Sequence, residues 1–295
     1  MSERLRLEQE PNENVESKVV LHFFRHAEPN RDADVPNESF ELTTKGREQA
    51  LHKSADLEVD GKDLDQSVAF GSPRNRSRHT AALVMAGESS DLISRAESLE
   101  EIKAALDMDL KVGSKIGVDP RLDFYMDADS PFWKEAEKAT GSKEYLKFLV
   151  ERSDQLAAEL GDEKASTYSR QASNVASVIK KYMQVCGQWD KLVESQAYSN
   201  PKLERFLGSH GGILESFLLK LVERVKGVEE RDRLLSIIPN HFDYTEGIDV
   251  ILTTVDSKPS VRVVFKHNQV GGEGEPYNFD ETISPEIIDD IIQSK

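Results

Sequence analysis

Three times along this chain a short apolar run ends in a polar or glycine-rich turn, and a helical pattern follows. The first run is Val19-Val20-Leu21-His22-Phe23-Phe24, closed by Arg25 and His26. The second is Val68-Ala69-Phe70, stopped by Gly71-Ser72-Pro73 and followed by a helical stretch through residues 80–85. The third covers residues 203–207, stopped by Gly208-Ser209-His210-Gly211-Gly212 ahead of an apolar helix over 213–225. A strand buried on both faces reads as a continuous apolar run. The repeated order strand, turn, helix therefore predicts an α/β domain, a mostly parallel sheet with helices on both faces. Such sheets bind ligands outside the carboxyl ends of their strands, which here are the three turns.

The rest of the chain extends this frame. Residues 1–17 read as a flexible polar arm and 18–295 as one domain. A charged helical stretch over about 94–200 reads as an insertion or cap, interrupted at Lys115–Phe124 and at Gly161. Ile248, Val250 and Leu252 alternate with polar residues, as do Val261, Val263 and Phe265, so about 246–268 predicts a C-terminal β-hairpin with one face exposed. Ser284-Pro285-Glu286 then opens a short last helix, with serine as cap and proline in the first turn.

Charge narrows the function. The formal net charge is −16, from 54 acidic and 38 basic residues. A surface of that sign repels nucleic acid and anionic membranes, so neither is expected as a partner. No apolar run approaches the roughly 20 residues that span a bilayer, and the N-terminus lacks the apolar centre of a secretory signal. The single cysteine, Cys186, allows no intrachain disulfide, and a reducing cytoplasm is the expected compartment. Nucleotide-loop and zinc signatures are absent, and Gly272-Glu273-Gly274 lacks a third glycine and a following helix. His22 and His26 are four apart on a strand with no third ligand nearby, so no metal and no cofactor are expected.

What remains is a cation at each strand end. Arg25 and His26 close the first, Ser72–His79 brings three arginines and a histidine to the second, and His210 lies in the third. In an acidic protein this concentration calls for a dianionic ligand. Phosphate fits best, because a planar guanidinium holds two of its oxygens at once. A neutral imidazole beside such cations is also a nucleophile near pH 7.

Four segments resemble the histidine phosphatase superfamily. They are FFRHAE (23–28), LTTKGREQA (42–50), SPRNRSRHTA (72–81) and GSHGGILESFL (208–218), in the family's order. The resemblance implies a three-layer phosphoglycerate-mutase-like fold. It implies that His26 attacks phosphorus and becomes a phosphohistidine, with Arg25, Arg76 and His210 binding the phosphate. The family's second arginine falls on Arg76, not on Arg74 or Arg78. The implied proton donor is either Asp123 or Glu101. Glu101 fits the family's spacing, whereas Asp123 follows a better strand and sits one residue before Phe124, which occupies the usual acid position. The longer mutase signature, with its tryptophan and glycine, is missing from RHAEPNRD. A metal-independent phosphatase is therefore expected ahead of a mutase-type phosphotransferase or an inactive phosphate- or phosphoprotein-binding module. The expected partner is a small phosphorylated substrate or a phosphoprotein. No oligomeric state is implied.

Overall fold

The structure is a computed structural model that describes residues 17–58, 64, 66–88, 91–110, 115–198, 200–238, 240–256, 258–267 and 275–295. The expected arm, apart from Ser17, and Gly272–Gly274 lie outside the described residues.

Strand β1 (Lys18–Arg25) is the apolar run with which the chain opens, buried from Val19 to its end. β2 (Ser67–Gly71), β3 (Ile116–Val118) and β4 (Lys202–Ser209) are the other runs that end near turns. β5 (Gly247–Val255), β6 (Lys258–His267) and β7 (Tyr277–Ile283) come from the C-terminal part. All seven form one sheet in the order β3-β2-β4-β1-β5-β6-β7. The β3–β2, β2–β4 and β4–β1 pairs are parallel, and the β1–β5, β5–β6 and β6–β7 pairs are antiparallel. The predicted hairpin thus joins the main sheet directly at β1. Its alternation decides its register, with Ile248 opposite Phe265, Val250 opposite Val263 and Leu252 opposite Val261, all buried. The sequence reading left out β7, whose buried Tyr277, Phe279 and Ile283 alternate in the same way.

Helices α1 (Thr44–Glu58), α2 (Asn75–Ala86), α3 (Asp91–Arg95) and α4 (Leu99–Leu110) contribute to the core against Phe24, Ala69 and Phe206. Then come α5 (Pro131–Gly141), α6 (Tyr145–Phe148) and α7 (Asp154–Leu160), the last two separated by a π-helical turn at Leu149–Ser153. The opposite face of β1, with Val19, Leu21 and Phe23, packs against α8 (Tyr168–Glu194), α9 (Ile213–Lys226), α10 (Val228–Ile237) and α11 (Pro285–Gln293). The result is three layers, α/β/α.

The predicted insertion therefore divides. α8 buries Ala172, Val175, Ala176, Ile179 and Met183, a spacing of three and four that presents one apolar stripe to β1. It is a full layer helix. α5 and α7 pack around the small cluster of Phe132, Ala157 and Ala165, while α6 reaches the main core through Leu146. Among the described residues no helix is long and apolar enough to cross a membrane.

Candidate active site

Parallel pairing places the strand ends side by side. Arg25 lies opposite Ser209, and Gly71 opposite Gly208. The next residue, His26, keeps the register by donating its N–H to Ser209 O at 2.9 Å. Ala27 N–H then donates to Thr80 Oγ1 at 3.0 Å, which fixes this turn to α2. Gly208 admits the close approach of α2, because a Cβ there would stand 2.1 Å from Ser77 O. The SP and TA ends of one sequence motif thus have different tasks, one opening the helix and the other clamping the β1 turn to it.

His26 is buried, and its tautomer follows from its partners. Nδ1 lies 2.7 Å from Ala27 O, which can only accept, so Nδ1 carries the proton. Nε2 then bears a lone pair, and Arg76 Nε donates to it at 3.2 Å. Burial, and after it the Arg76 guanidinium, hold the imidazole well below the ordinary histidine range, against the opposing effect of the carbonyl. His210 stands edge-on to His26 with ring centroids 5.1 Å apart. Burial first, then His26 and the arginines, hold it well below its usual value too. Its Nε2 lies 2.7 Å from Ser72 Oγ and 3.4 Å from Asp123 Oδ1, while Nδ1 is buried without a partner.

Three guanidiniums surround the pair. Arg76 donates to Asn37 O at 2.8 Å and to Asn37 Oδ1 at 2.9 Å, and burial followed by Arg74 lowers it to about 10, still a cation at neutral pH. Arg25 donates to Phe242 O, lies 3.0 Å from His241 Nδ1 and covers the Tyr244 ring at 4.4 Å. Its Nε is buried with no partner, and burial lowers its pKa. Arg74 is paired with Asp123 through Nε at 2.8 Å and also donates to Asn37 Oδ1 at 2.6 Å. Among the described residues neither Arg25 nor Arg76 has a carboxylate in ion-pair contact. Arg74 and Arg76 moreover sit at the N-terminus of α2, the positive end of its dipole. Cations there are disfavoured by the helix dipole, and an anion placed among them would offset it.

The structure brings together Arg25, His26, Arg76, His210 and Asp123. Glu101 lies elsewhere: it is exposed on the first turn of α4, and its carboxylate accepts from Glu97 N–H at 2.7 Å. Sequence reasoning missed Arg74, Ser72, Asn37, His241 and Tyr244. Arg74 and Ser72 were visible as part of the SPRNRS run, which holds more arginine than one family position needs. Asn37, at the start of the 3-10 turn Asn37–Ser39 soon after His26, and His241 and Tyr244, from a segment far along the chain, carried no local signal. Phe124 also borders the site, edge-on to His210 at 5.1 Å, stacked on Trp133 at 5.9 Å and under Arg74 at 4.4 Å. Among the described residues no group of three histidine, cysteine or acidic side chains could hold a metal ion.

No protein-family model matches the chain, and no curated protein matches it. Solved structures with some likeness include a mycobacterial glucosyl-3-phosphoglycerate phosphatase complexed with VO3. That match has 14% identity and a TM-score of 0.40, and covers 80% of this chain and 92% of the other. Another is the phytase of Klebsiella sp ASR1, at 11% identity and a TM-score of 0.35, covering 95% and 94%. Likenesses of this extent decide nothing about the reaction, which has to be argued from the side chains.

Proposed function

We propose that this chain is a phosphatase of the histidine phosphatase type, hydrolysing a phosphomonoester through a phosphohistidine on His26. The observation that carries the reading is the His26 Nε2 lone pair, held neutral and facing a guanidinium without a counter-ion. Nε2 attacks phosphorus while the bond to the leaving oxygen breaks. Arg25, Arg76 and His210 take up the charge on the equatorial oxygens. For this, Arg76 Nε turns from Nε2 to a phosphate oxygen, and the unpartnered Arg25 Nε and His210 Nδ1 supply further donors. The leaving oxygen takes a proton from Asp123, the acid that lies within the cluster. Water then attacks the phosphohistidine, giving its proton to the Asp123 carboxylate left by the first step, so that inorganic phosphate is released and both His26 and the acid are restored. No step of this scheme uses a metal.

The test is a trapped phosphoenzyme mapped to its residue. An acid-labile phosphate on His26 is expected, turnover of an aryl phosphate persists in chelator, and His26→Ala lowers it by about 10³-fold or more. Activity lost to chelator, or retained in that variant, sinks the reading.

One observation favours a second reading. Asp123 Oδ1 is already engaged by Arg74 at 2.8 Å. If that ion pair persists with ligand bound, no acid serves the leaving group, and the site binds phosphate groups without cleaving alkyl esters. Phosphate analogues then bind, and incubation with an alkyl phosphate leaves no phosphohistidine.

A further inference from the structure

One buried carboxylate outside the phosphate cluster joins two of its supports. Glu215 lies in the first turn of α9, five positions after His210, and is 1% exposed. Its Oε2 accepts from Gly212 N–H at 2.8 Å, the usual reach of a glutamate back to the start of its own helix. That turn needs a glycine: Gly212 has φ +91°, and a Cβ would meet Tyr145 Cε1 at 2.6 Å. The other oxygen, Oε1, leaves the helix and accepts from Phe242 N–H at 2.5 Å. Helix capping requires only the first bond. The second ties the His210 turn to a segment 27 residues further on.

That segment is what holds Arg25. Phe242 O and His241 Nδ1 engage its Nη1, and Tyr244 lies under the guanidinium. The Arg25 backbone is paired there as well, donating to Glu246 O at 2.9 Å and accepting from Thr245 N–H at 3.1 Å. Glu215 also acts on Arg25 through its field, as the foremost influence holding the guanidinium charged against burial.

We propose that Glu215 is a positioning residue for the oxyanion: its carboxylate holds Gly212 and Phe242 together, so fixes Arg25, and loses one of these bonds when protonated. The inference rests on the reading of the cluster as a phosphate site. A carboxylic acid keeps one strong acceptor oxygen, while its hydroxyl oxygen accepts only weakly and its O–H needs an acceptor of its own. One buried backbone donor is then left unpaired. The charged and titratable groups around this contact are Arg25 on β1, with Arg31 near it, Tyr145 on α6, and His241, Asp243 and Tyr244 on the segment. Burial raises Glu215 to about 7, against the two backbone bonds and Arg25. His26, His210 and His241 are all held below the ordinary histidine value, and Tyr145 is pushed up to about 12.

Sulfate is the probe, because its charge stays constant through neutral pH while that of phosphate does not. Binding of sulfate to the full chain is measured by calorimetry below and above pH about 7. Wild-type affinity is expected to rise as pH rises, with release of one proton. Glu215→Gln, which keeps one acceptor, is expected to bind about tenfold more weakly than wild type on the alkaline side, the effect of one hydrogen bond. On the acid side the two converge. A merely structural role gives the same ratio at both pH values, and that result, or equal affinities throughout, overturns the proposal. Should the variant fail to fold, the wild-type titration alone decides, since a flat profile overturns it. Wild-type protein that binds no sulfate at any pH overturns the phosphate-site reading as well, whereas binding without a pH response overturns this inference alone.

Discussion

β1 and the residue that follows it carry two buried histidines four residues apart, and the protein drives them in opposite directions. His22 lies between two carboxylates, with Nδ1 2.7 Å from Asp249 Oδ1 and Nε2 3.3 Å from Glu204 Oε1. Both ring nitrogens meet acceptors, which is the pattern of an imidazolium. Burial, the largest single influence, pulls its pKa down, yet the two carboxylates together outweigh it and the value ends above the usual one. His26 suffers the same burial, but its charged neighbours are guanidiniums, so every further charge pushes down. Burial alone therefore does not decide the state of a strand histidine. The sign of the charges on the adjoining strands and turns does. His22 is a charged strut joining β4, β1 and β5, and His26 is a neutral base at the strand's end.

The comparison breaks most visibly where the cations around His26 are removed. Arg76→Met leaves the nucleophile without its nearest charge, and we expect kcat/KM on an aryl phosphate to fall by about 10²- to 10³-fold. Steady-state kinetics check this, and a loss of less than about tenfold takes Arg76 out of the site. A smaller, selective effect is expected at Asp123. If it protonates the leaving oxygen, Asp123→Asn costs about 10²-fold on an alkyl phosphate and far less on an aryl phosphate, whose oxygen leaves without a proton. Equal losses on both substrates assign Asp123 to holding Arg74 instead.

How much of this was legible in advance varies with distance along the chain. β1, β2, β4 and their turns were readable, because apolar residues dominate them despite His22 in β1 and Glu204 and Arg205 in β4, and a basic pair or glycines mark their ends. The grouping of Arg25, His26 and His210 with the arginines of 72–79 followed from that topology, and the family resemblance singled out Arg76 among them. Local pattern ranked Asp123 only slightly ahead of Glu101, through the better strand before it, since both are acids near a plausible spacing. Only the packing of the residues before Phe124 beside His210 separates them. Glu101 instead serves Glu97 N–H, within its own turn. α8 resembled the insertion around it in charge, and its apolar stripe gained meaning only once β1 was seen to cover it. The hold of His241 and Tyr244 on Arg25 spans more than two hundred residues, and no periodicity encodes a contact of that kind.

The smallest expected effect is also the one that sharpens the contrast most. A histidine whose folded pKa is raised stabilises the fold fully below the unfolded value, about 6.5, and loses that contribution as pH rises through the folded value. His26 and His210 act with the opposite sign. Their folded values are depressed, so they contribute nothing above about 6.5, and they destabilise the fold as pH falls below it, where only the unfolded chain takes up protons. Wild-type stability therefore carries two slopes that meet near pH about 6.5, falling above it through His22 and below it through His26 and His210. His22→Gln removes one, because a neutral amide replaces the imidazolium between Glu204 and Asp249. Urea unfolding should show the largest deficit of this variant below pH about 6.5, narrowing as pH rises. The variant's sulfate affinity should match wild type, since His22 touches no residue of the phosphate cluster. A deficit independent of pH means that His22 is neutral in the fold, and the two ends of β1 are then less different than their neighbours imply.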